Sequence, residues 1–197
     1  MFYAKSVAVS LPMEVERELV GGERLLWTGR PDPTRHFDRA DLFLVPFSLM
    51  WGGFTIFWEI AVIRNGWGFG MVWGIPFVAI GLYVIAGRFF VKARKKRRTY
   101  YVVTDRRVLS VERGGSTRAA FLSLIPTLNA SIRSDGSGSV TFGNSSWLYG
   151  SYANSGLDFL ARGYGPEAVG FYDIPDARSV VELVNDLRGR VAEATNA

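Results

Sequence analysis

The stretch LFLVPFSLMWGGFTIFWEIAVI, residues 42–63, contains a single charged side chain, Glu59. A second apolar run, WGFGMVWGIPFVAIGLYVIAG at residues 67–87, contains no charged side chain. At a rise of about 1.5 Å per residue, each run forms a helix long enough to cross a hydrocarbon core about 30 Å thick. Only residues 64–66 separate the two runs. The sequence therefore predicts a transmembrane helical hairpin within residues 42–91, with helices at about 42–63 and 67–87.

The alternative is a pair of helices buried inside a soluble protein. Apolar runs of 18 or more residues are typical of membrane spans rather than of soluble cores. We therefore favour the membrane interpretation. Residues 1–10 have no basic start and no long apolar run, so we do not expect a secretory signal there.

Basic residues are concentrated beside the second apolar run. Residues 42–98 hold eight Lys and Arg and one acidic residue, whereas residues 1–41 and 99–197 each hold one more acidic than basic residue. Seven of the eight lie in the last eleven positions of this segment: Arg88, Lys92, Arg94, Lys95, Lys96, Arg97 and Arg98. We treat residues 92–98 as a polybasic juxtamembrane segment. Nucleic acid is not expected as a partner, because the flanking folded regions are slightly acidic.

This charge distribution predicts an orientation. Basic residues next to a span favour the cytoplasmic side, so the C-terminal region and, across the hairpin, the N-terminus are both expected in the cytoplasm. The same seven side chains can also contact anionic lipid headgroups. We expect orientation to be their main role and the lipid bilayer to be one partner.

Small residues recur every four positions in both runs. They are expected to let the two helices pack closely in lipid, and they are Ser48, Gly52, Gly66, Gly70 and Gly74. Glu59 is a candidate functional residue, because an ionisable side chain within a span is costly. Its position five residues before Arg64 favours the simpler interpretation that it reaches headgroups or water near the outer end.

Residues 99–192 follow a different pattern, in which β-branched and aromatic side chains alternate with polar ones between short Gly- and Ser-rich turns. This pattern predicts short antiparallel strands, followed by an amphipathic helix at about 176–192. Residues 144–167 are predicted to form a long loop with a short helical piece near 157–161. Before the hairpin, residues 1–41 are predicted to hold a short helix and a first strand at 23–28.

Five stretches, taken in order, resemble one protein family: GERLLWTGRP (22–31), YYVVTDRRV (100–108), LSLI (122–125), DGSGSVTFG (135–143) and FYDI (171–174). Their order and spacing are similar to those of membrane-anchored bacterial pleckstrin-homology-like (PH-like) domain proteins. The resemblance implies a strongly bent antiparallel sheet capped by a C-terminal helix, with the strand before the hairpin joining the sheet after it. The segment 144–167 departs from the simplest form of this pattern. The expected fold class is thus an α+β membrane protein with a hairpin inserted near the start of a PH-like domain.

The residues that enzymes commonly use are scarce. There is no cysteine and one histidine, so we expect no conventional zinc site, no thiol catalysis and no cofactor. The single histidine, His36, lies in a polar segment without a nucleophile at a suitable spacing. Arg106 and Arg107 follow Thr104-Asp105, where they either flank a turn or extend the basic segment towards lipid phosphates; the turn is favoured.

Two functions remain open from the sequence. In the first, a non-enzymatic binding or scaffold module is held at the inner leaflet of the bacterial cytoplasmic membrane, where it meets lipid and a protein partner or a second copy. In the second, the hairpin is the active part of a transport or envelope-maintenance complex and the domain regulates it. Replacing the hairpin with an unrelated two-span anchor distinguishes them.

Overall fold

The computed structural model describes residues 12–35, 37, 41–66, 69–146, 152–161, 165 and 167–196. Among these residues the chain is α+β. Its helices are α1 (Met13–Glu18), α2 (Asp41–Arg64), α3 (Phe69–Leu82), α4 (Arg88–Arg98) and α5 (Ala177–Asn196). Its strands are β1 (Leu25–Gly29), β2 (Thr99–Thr104), β3 (Arg107–Glu112), β4 (Thr117–Phe121), β5 (Leu128–Ile132), β6 (Gly138–Phe142) and β7 (Val169–Ile174). Short 3-10 helices lie at Leu122–Leu124 and Asp158–Ala161.

The described residues form two compact units. We call the first the β unit; it comprises the described residues within 1–33, 95–146 and 165–197. We call the second the helical unit; it comprises those within 34–94 and 147–164. The segments 1–33 and 95–146, which flank the apolar helices in the sequence, thus belong to the same unit.

The β unit contains two antiparallel sheets, ordered β1-β2-β3-β4 and β5-β6-β7. Strand β1 precedes the apolar helices and pairs with β2, which follows them; Trp27 lies opposite Val103. The single bent sheet expected from the sequence is therefore corrected to two sheets. The break falls between β4 and β5, where a 3-10 turn and Pro126 interrupt the strand, because proline has no N–H for a ladder.

The two sheets and α5 share one apolar core. Val103 from β2, Val140 from β6 and Phe171 from β7 are fully buried, and all three belong to the same cluster as α5. Phe171 stacks on Tyr101 with ring centroids 4.6 Å apart. Helix α5 contributes side chains one turn apart, including the fully buried Val180 and Val184. Its amphipathic face was predicted, although the helix ends later than residue 192.

The helical unit contains two helices that are long and apolar enough to cross a membrane. They are Asp41–Arg64, with 24 residues, and Val72–Arg98, with 27. The second begins within α3 and continues through a π-helical turn at Tyr83–Gly87 and α4. The sequence prediction ended this helix at residue 87, whereas the helix continues to Arg98 because arginine and lysine are good helix formers. Residues 67 and 68, the predicted start of the second span, lie outside the described residues.

Candidate functional site

The basic segment at residues 88–98 forms α4, and its spacing divides the cations into two groups. Arg88, Lys92 and Lys96 recur every four residues, which places them on one side of the helix. All three are buried, with at most 3 % of their surface exposed. The sequence predicts that all seven cations act together, mainly to orient the chain and also to contact lipid headgroups. In the structure, however, Arg88, Lys92 and Lys96 are buried inside the protein.

In the helical unit, Asp41 is the partner of the first two buried cations. It is the first residue of α2, where the helix dipole favours a negative charge. Arg88 donates from Nη1 to Asp41 Oδ1, and Lys92 Nζ lies 3.8 Å from Asp41 Oδ2. Arg88 Nη2 is buried and has no hydrogen-bond partner among the described residues. This cluster of Asp41, Arg88 and Lys92 connects the start of α2 to α4.

A described piece of the segment 144–167 packs against the same part of the helical unit. Tyr83, in the π-helical turn, donates its hydroxyl to the Gly156 carbonyl at 2.8 Å. Gly156 has φ of +82°, and a Cβ on it would lie 3.1 Å from Arg88 Cβ. Only glycine combines this backbone conformation with so close an approach. The described part of the segment 144–167 therefore packs at a defined position, which the sequence does not predict.

In the β unit, Lys96 is held by Asp173. Its Nζ donates to Asp173 Oδ2 at 2.6 Å and to the Asp32 carbonyl at 3.3 Å. Arg133 Nη2 approaches the other carboxylate oxygen of Asp173 at 3.4 Å, and the Asp173 amide donates to Ser139 Oγ at 3.0 Å. Asp173 adopts a positive φ of 51°, which short polar side chains tolerate better than most. These contacts tie the end of β7 to α4.

The second group of cations consists of Arg94, Arg97 and Arg98, which we call the exposed arginines. Their side chains are exposed, and none of them has an ion-pair partner among the described residues. Lys95 differs from them because it is half-buried and has an interaction of its own. Three guanidinium groups at the end of a long apolar helix are thus free to contact anions.

Arg107 forms an ion pair within the β unit. It donates from Nε and Nη2 to the two carboxylate oxygens of Glu23, at 2.7 and 3.0 Å. These hydrogen bonds lower the pKa of Glu23 below its usual value, against the effect of burial, and Glu23 raises the pKa of Arg107. The Thr104 hydroxyl accepts from the backbone amides of Arg106 and Arg107. These contacts are those of a turn. Arg106 itself is exposed.

The predicted small residues take different positions in the structure. Gly52 is buried, and a Cβ on it would lie 2.5 Å from Ile85 Cδ1. Ser48 is buried as well, and its hydroxyl donates to the Val45 carbonyl within α2. Gly70 lies in α3. Gly66 lies after the end of α2 and has φ of +106°. A Cβ added to it would meet no atom within 4 Å. It therefore serves the turn and not the helix contact.

Gly74 brings α3 close to Glu59. A Cβ on Gly74 would overlap the Glu59 carboxylate, so this carboxylate lies directly against the glycine. Glu59 Oε2 is buried and has no hydrogen-bond partner among the described residues. From the sequence, this side chain is expected to reach headgroups or water. In the structure, one of its oxygens lies between the two helices.

Several residues of these clusters were missed by the sequence analysis. The sequence does not single out Asp41, and Asp173 stands only within the stretch FYDI, although each is the carboxylate partner of a buried cation. The four-residue spacing of Arg88, Lys92 and Lys96 was the available signal. Gly81 was also missed: a Cβ on it would lie 3.6 Å from Gly52 Cα. His36 lies outside the described residues.

Comparisons with known proteins find no relative of this chain. No family model, no curated protein and no solved structure matches it. The PH-like resemblance therefore remains a prediction that rests on the five stretches quoted above.

Proposed function

We propose that the chain is a membrane-anchored binding or scaffold protein whose apolar helices hold a PH-like domain at the inner leaflet of the bacterial cytoplasmic membrane. In this proposal both termini are cytoplasmic, and the partners are the lipid bilayer and either a protein or a second copy of the chain. The function is non-enzymatic and needs no cofactor or nucleic acid.

The observation that carries the proposal is the exposure of the apolar helices. Within Asp41–Arg64, only 22 % of an 18-residue apolar stretch is buried, and within Val72–Arg98 the corresponding share is 17 %. Phe57 and Val72 are 69 % and 68 % exposed. Soluble proteins rarely expose apolar patches of more than a few hundred Å². Lipid is the environment in which such a surface is stable.

The exposed arginines support the orientation and the lipid contact. They lie at the C-terminal end of the second long helix, and basic residues at such positions favour the cytoplasmic side. Each basic residue near an anionic surface contributes about 1 kcal/mol of attraction. Three unpaired side chains therefore supply enough attraction to select anionic headgroups.

The lipid contact can be tested on the full chain in detergent micelles. We expect dioctanoyl phosphatidylglycerol to raise the melting temperature more than dioctanoyl phosphatidylcholine does. Replacing Arg94, Arg97 and Arg98 with Gln should abolish most of this difference. The matched control replaces Arg17, Arg24 and Arg178, three arginines of the β unit whose side chains are also exposed, and should retain the difference. Equal responses of the two triple variants would refute a lipid contact at α4.

A second function is favoured by Glu59, whose unpartnered buried oxygen lies between the two long helices. In this alternative the hairpin is the active part of a transport or envelope-maintenance complex. Replacing the hairpin with an unrelated two-span anchor, in cells where deletion of the gene has a phenotype, separates the two. Restored function supports the anchor proposal, and lost function supports the hairpin.

A further inference from the structure

The two apolar runs end in charged residues at the same end of the helical unit. Asp41 precedes the first run, Arg88 follows the second, and the two side chains form an ion pair. Leu42, the next residue after Asp41, is 86 % exposed. The helix from Asp41 to Arg64 is about 34 Å long, close to the thickness of a hydrocarbon core. In the membrane proposal, on which this inference rests, the Asp41–Arg88 pair therefore marks one edge of the hydrocarbon, because charged groups avoid that core.

Tyr83 lies on the hydrocarbon side of this edge. It precedes Arg88 by five residues, which is about 7 Å along a helix, and Leu82 beside it is 60 % exposed. Tyr83 meets the segment 144–167 at two points. Its hydroxyl donates to the Gly156 carbonyl at 2.8 Å, and its ring meets the ring of Phe159 edge-on, with centroids 6.1 Å apart. Residues 156 and 159 thus lie beside a part of the helix that the membrane proposal places in lipid.

The polar groups of this segment are satisfied within the protein. The Ser155 hydroxyl donates to the Tyr152 carbonyl at 2.6 Å and accepts from the Leu157 amide at 3.1 Å. The side chains of Ser155 and Asp158 are buried, and Asp158 has an interaction of its own. Irregular backbone at membrane depth is tolerated only where its polar groups are satisfied in this way. The segment therefore meets the condition for contact with lipid.

Phe159 is the side chain that the segment presents outwards. Of residues 153–159, all of which the structure describes, only Phe159 is exposed, at 51 %. Segments that lie in a membrane interface bury their apolar side about 5–10 Å into the boundary between headgroups and acyl chains, and the depth of Tyr83 falls within this range. We propose that residues 152–161 are a third membrane contact of the helical unit, with Phe159 inserted among the acyl chains beside the Asp41–Arg88 edge.

Two other environments are possible for Phe159. One is water, in which the ring would be an isolated exposed aromatic residue. The other is protein, such as a second copy of the chain that covers the ring. Lipid differs from water by admitting apolar reagents and from protein by admitting any reagent at all, so a measurement of accessibility separates the three.

The test uses the full chain in vesicles of phosphatidylcholine and phosphatidylglycerol. Because the chain has no cysteine, a nitroxide can be attached at one introduced cysteine at a time. Power-saturation EPR then measures its collisions with oxygen, which concentrates in hydrocarbon, and with a water-soluble nickel chelate. For Phe159→Cys we expect collisions with oxygen to exceed those with nickel. Phe57→Cys on α2 should behave in the same way, and Leu124→Cys, at a 75 % exposed position of the β unit, should show the reverse order.

The control at position 57 separates this inference from the anchor proposal. Excess nickel collisions at position 159, with excess oxygen collisions at position 57, would overturn the inference and leave the anchor proposal intact. Few collisions with either reagent at position 159 would show that protein covers the ring, which would also overturn it. Excess nickel collisions at position 57 would overturn the anchor proposal and this inference together.

Circular dichroism verifies that each labelled variant is folded. If Phe159→Cys does not fold, trifluoromethyl-phenylalanine at position 159 retains the aromatic ring. The relaxation of its fluorine nuclei by oxygen and by the nickel chelate then gives the same comparison, with the same expected and contradicting results.

Discussion

In the β unit, the side chains of Val102, Val103 and Phe171 are fully buried, whereas Phe54 and Phe57 on α2 are 60 % and 69 % exposed. Both regions are rich in large apolar side chains. Burial of apolar area from water yields about 25 cal/mol per Å². The β unit obtains this gain in two clusters, one in which its strands pack with α5 and one in which they pack with Val15 of α1. The helical unit leaves most of its apolar surface without protein contacts. This difference is the one that the membrane proposal predicts.

The largest expected effect is on the free energy of unfolding when a buried aromatic ring is removed, compared with removal of an exposed one. Phe171→Ala should lower the free energy of unfolding by about 3–5 kcal/mol, because it leaves a cavity in the core of the β unit. Urea unfolding of the full chain in nonionic micelles measures this change. Phe57→Ala is the matched control and should change it by less than about 0.5 kcal/mol. Equal losses would mean that α2 is buried against protein.

A comparable effect is expected from the buried ion pair of the β unit. Asp173→Asn keeps the shape and the tolerance of positive φ but leaves Lys96 buried beside a neutral group. Removal of one partner from a buried pair costs about 3–5 kcal/mol of stability. Urea unfolding measures it.

The control for this pair is Asp186→Asn. Asp186 pairs with Arg190 on α5, where both side chains are more than half exposed. Exposed pairs contribute at most about 1 kcal/mol. A loss at Asp173 no larger than that at Asp186 would contradict the burial of Lys96.

A lysine placed on the apolar surface tests lipid directly. Phe57→Lys should disfavour membrane insertion by about 3 kcal/mol, the cost of lysine at the centre of a span. The inserted fraction in a translocation assay measures this. Leu124→Lys, at a 75 % exposed position of the β unit, should leave both insertion and stability unchanged. If Phe57→Lys inserts as well as Leu124→Lys does, Phe57 faces water and not lipid.

The smallest effect is a pH dependence at Glu23. Its pKa in the folded chain is lowered by Arg107 from an ordinary value of 4.5. The ion pair is therefore stabilising above that pH, and this contribution is lost as the pH falls through the lowered pKa. Glu23→Gln should cost about 1–2 kcal/mol at pH 7 and less at pH 3, measured by urea unfolding. Glu16→Gln on the exposed face of α1 should show no such difference.

The sequence indicated the apolar helices and the α+β class, because both leave strong periodic or compositional signals. Long apolar runs can be recognised without knowing what they pack against. The β-branched and aromatic residues of β2 and the alternation of β3 are likewise visible in the sequence. The division into two sheets could not be predicted from the sequence, because it depends on how the chain bends after Leu122–Leu124.

The side-chain clusters were harder to foresee. The seven cations at 88–98 looked equivalent, and only tertiary contacts with Asp41 and Asp173 separate the buried from the exposed ones. Those carboxylates lie 47 and 77 residues from Arg88 and Lys96 in the sequence. Gly52 was identifiable by its spacing, whereas the close approach of Gly81 depends on the geometry of helix crossing.

The central claim is that α2 and the helix after it lie in lipid with the β unit on the cytoplasmic side. Because the chain has no cysteine, single cysteines can report the position of each region in intact cells. With a membrane-impermeant maleimide, Asn65→Cys should be labelled in intact cells, Leu124→Cys only after permeabilisation, and Phe57→Cys only after detergent solubilisation. Labelling of Leu124→Cys in intact cells, or of Phe57→Cys without detergent, would contradict the account.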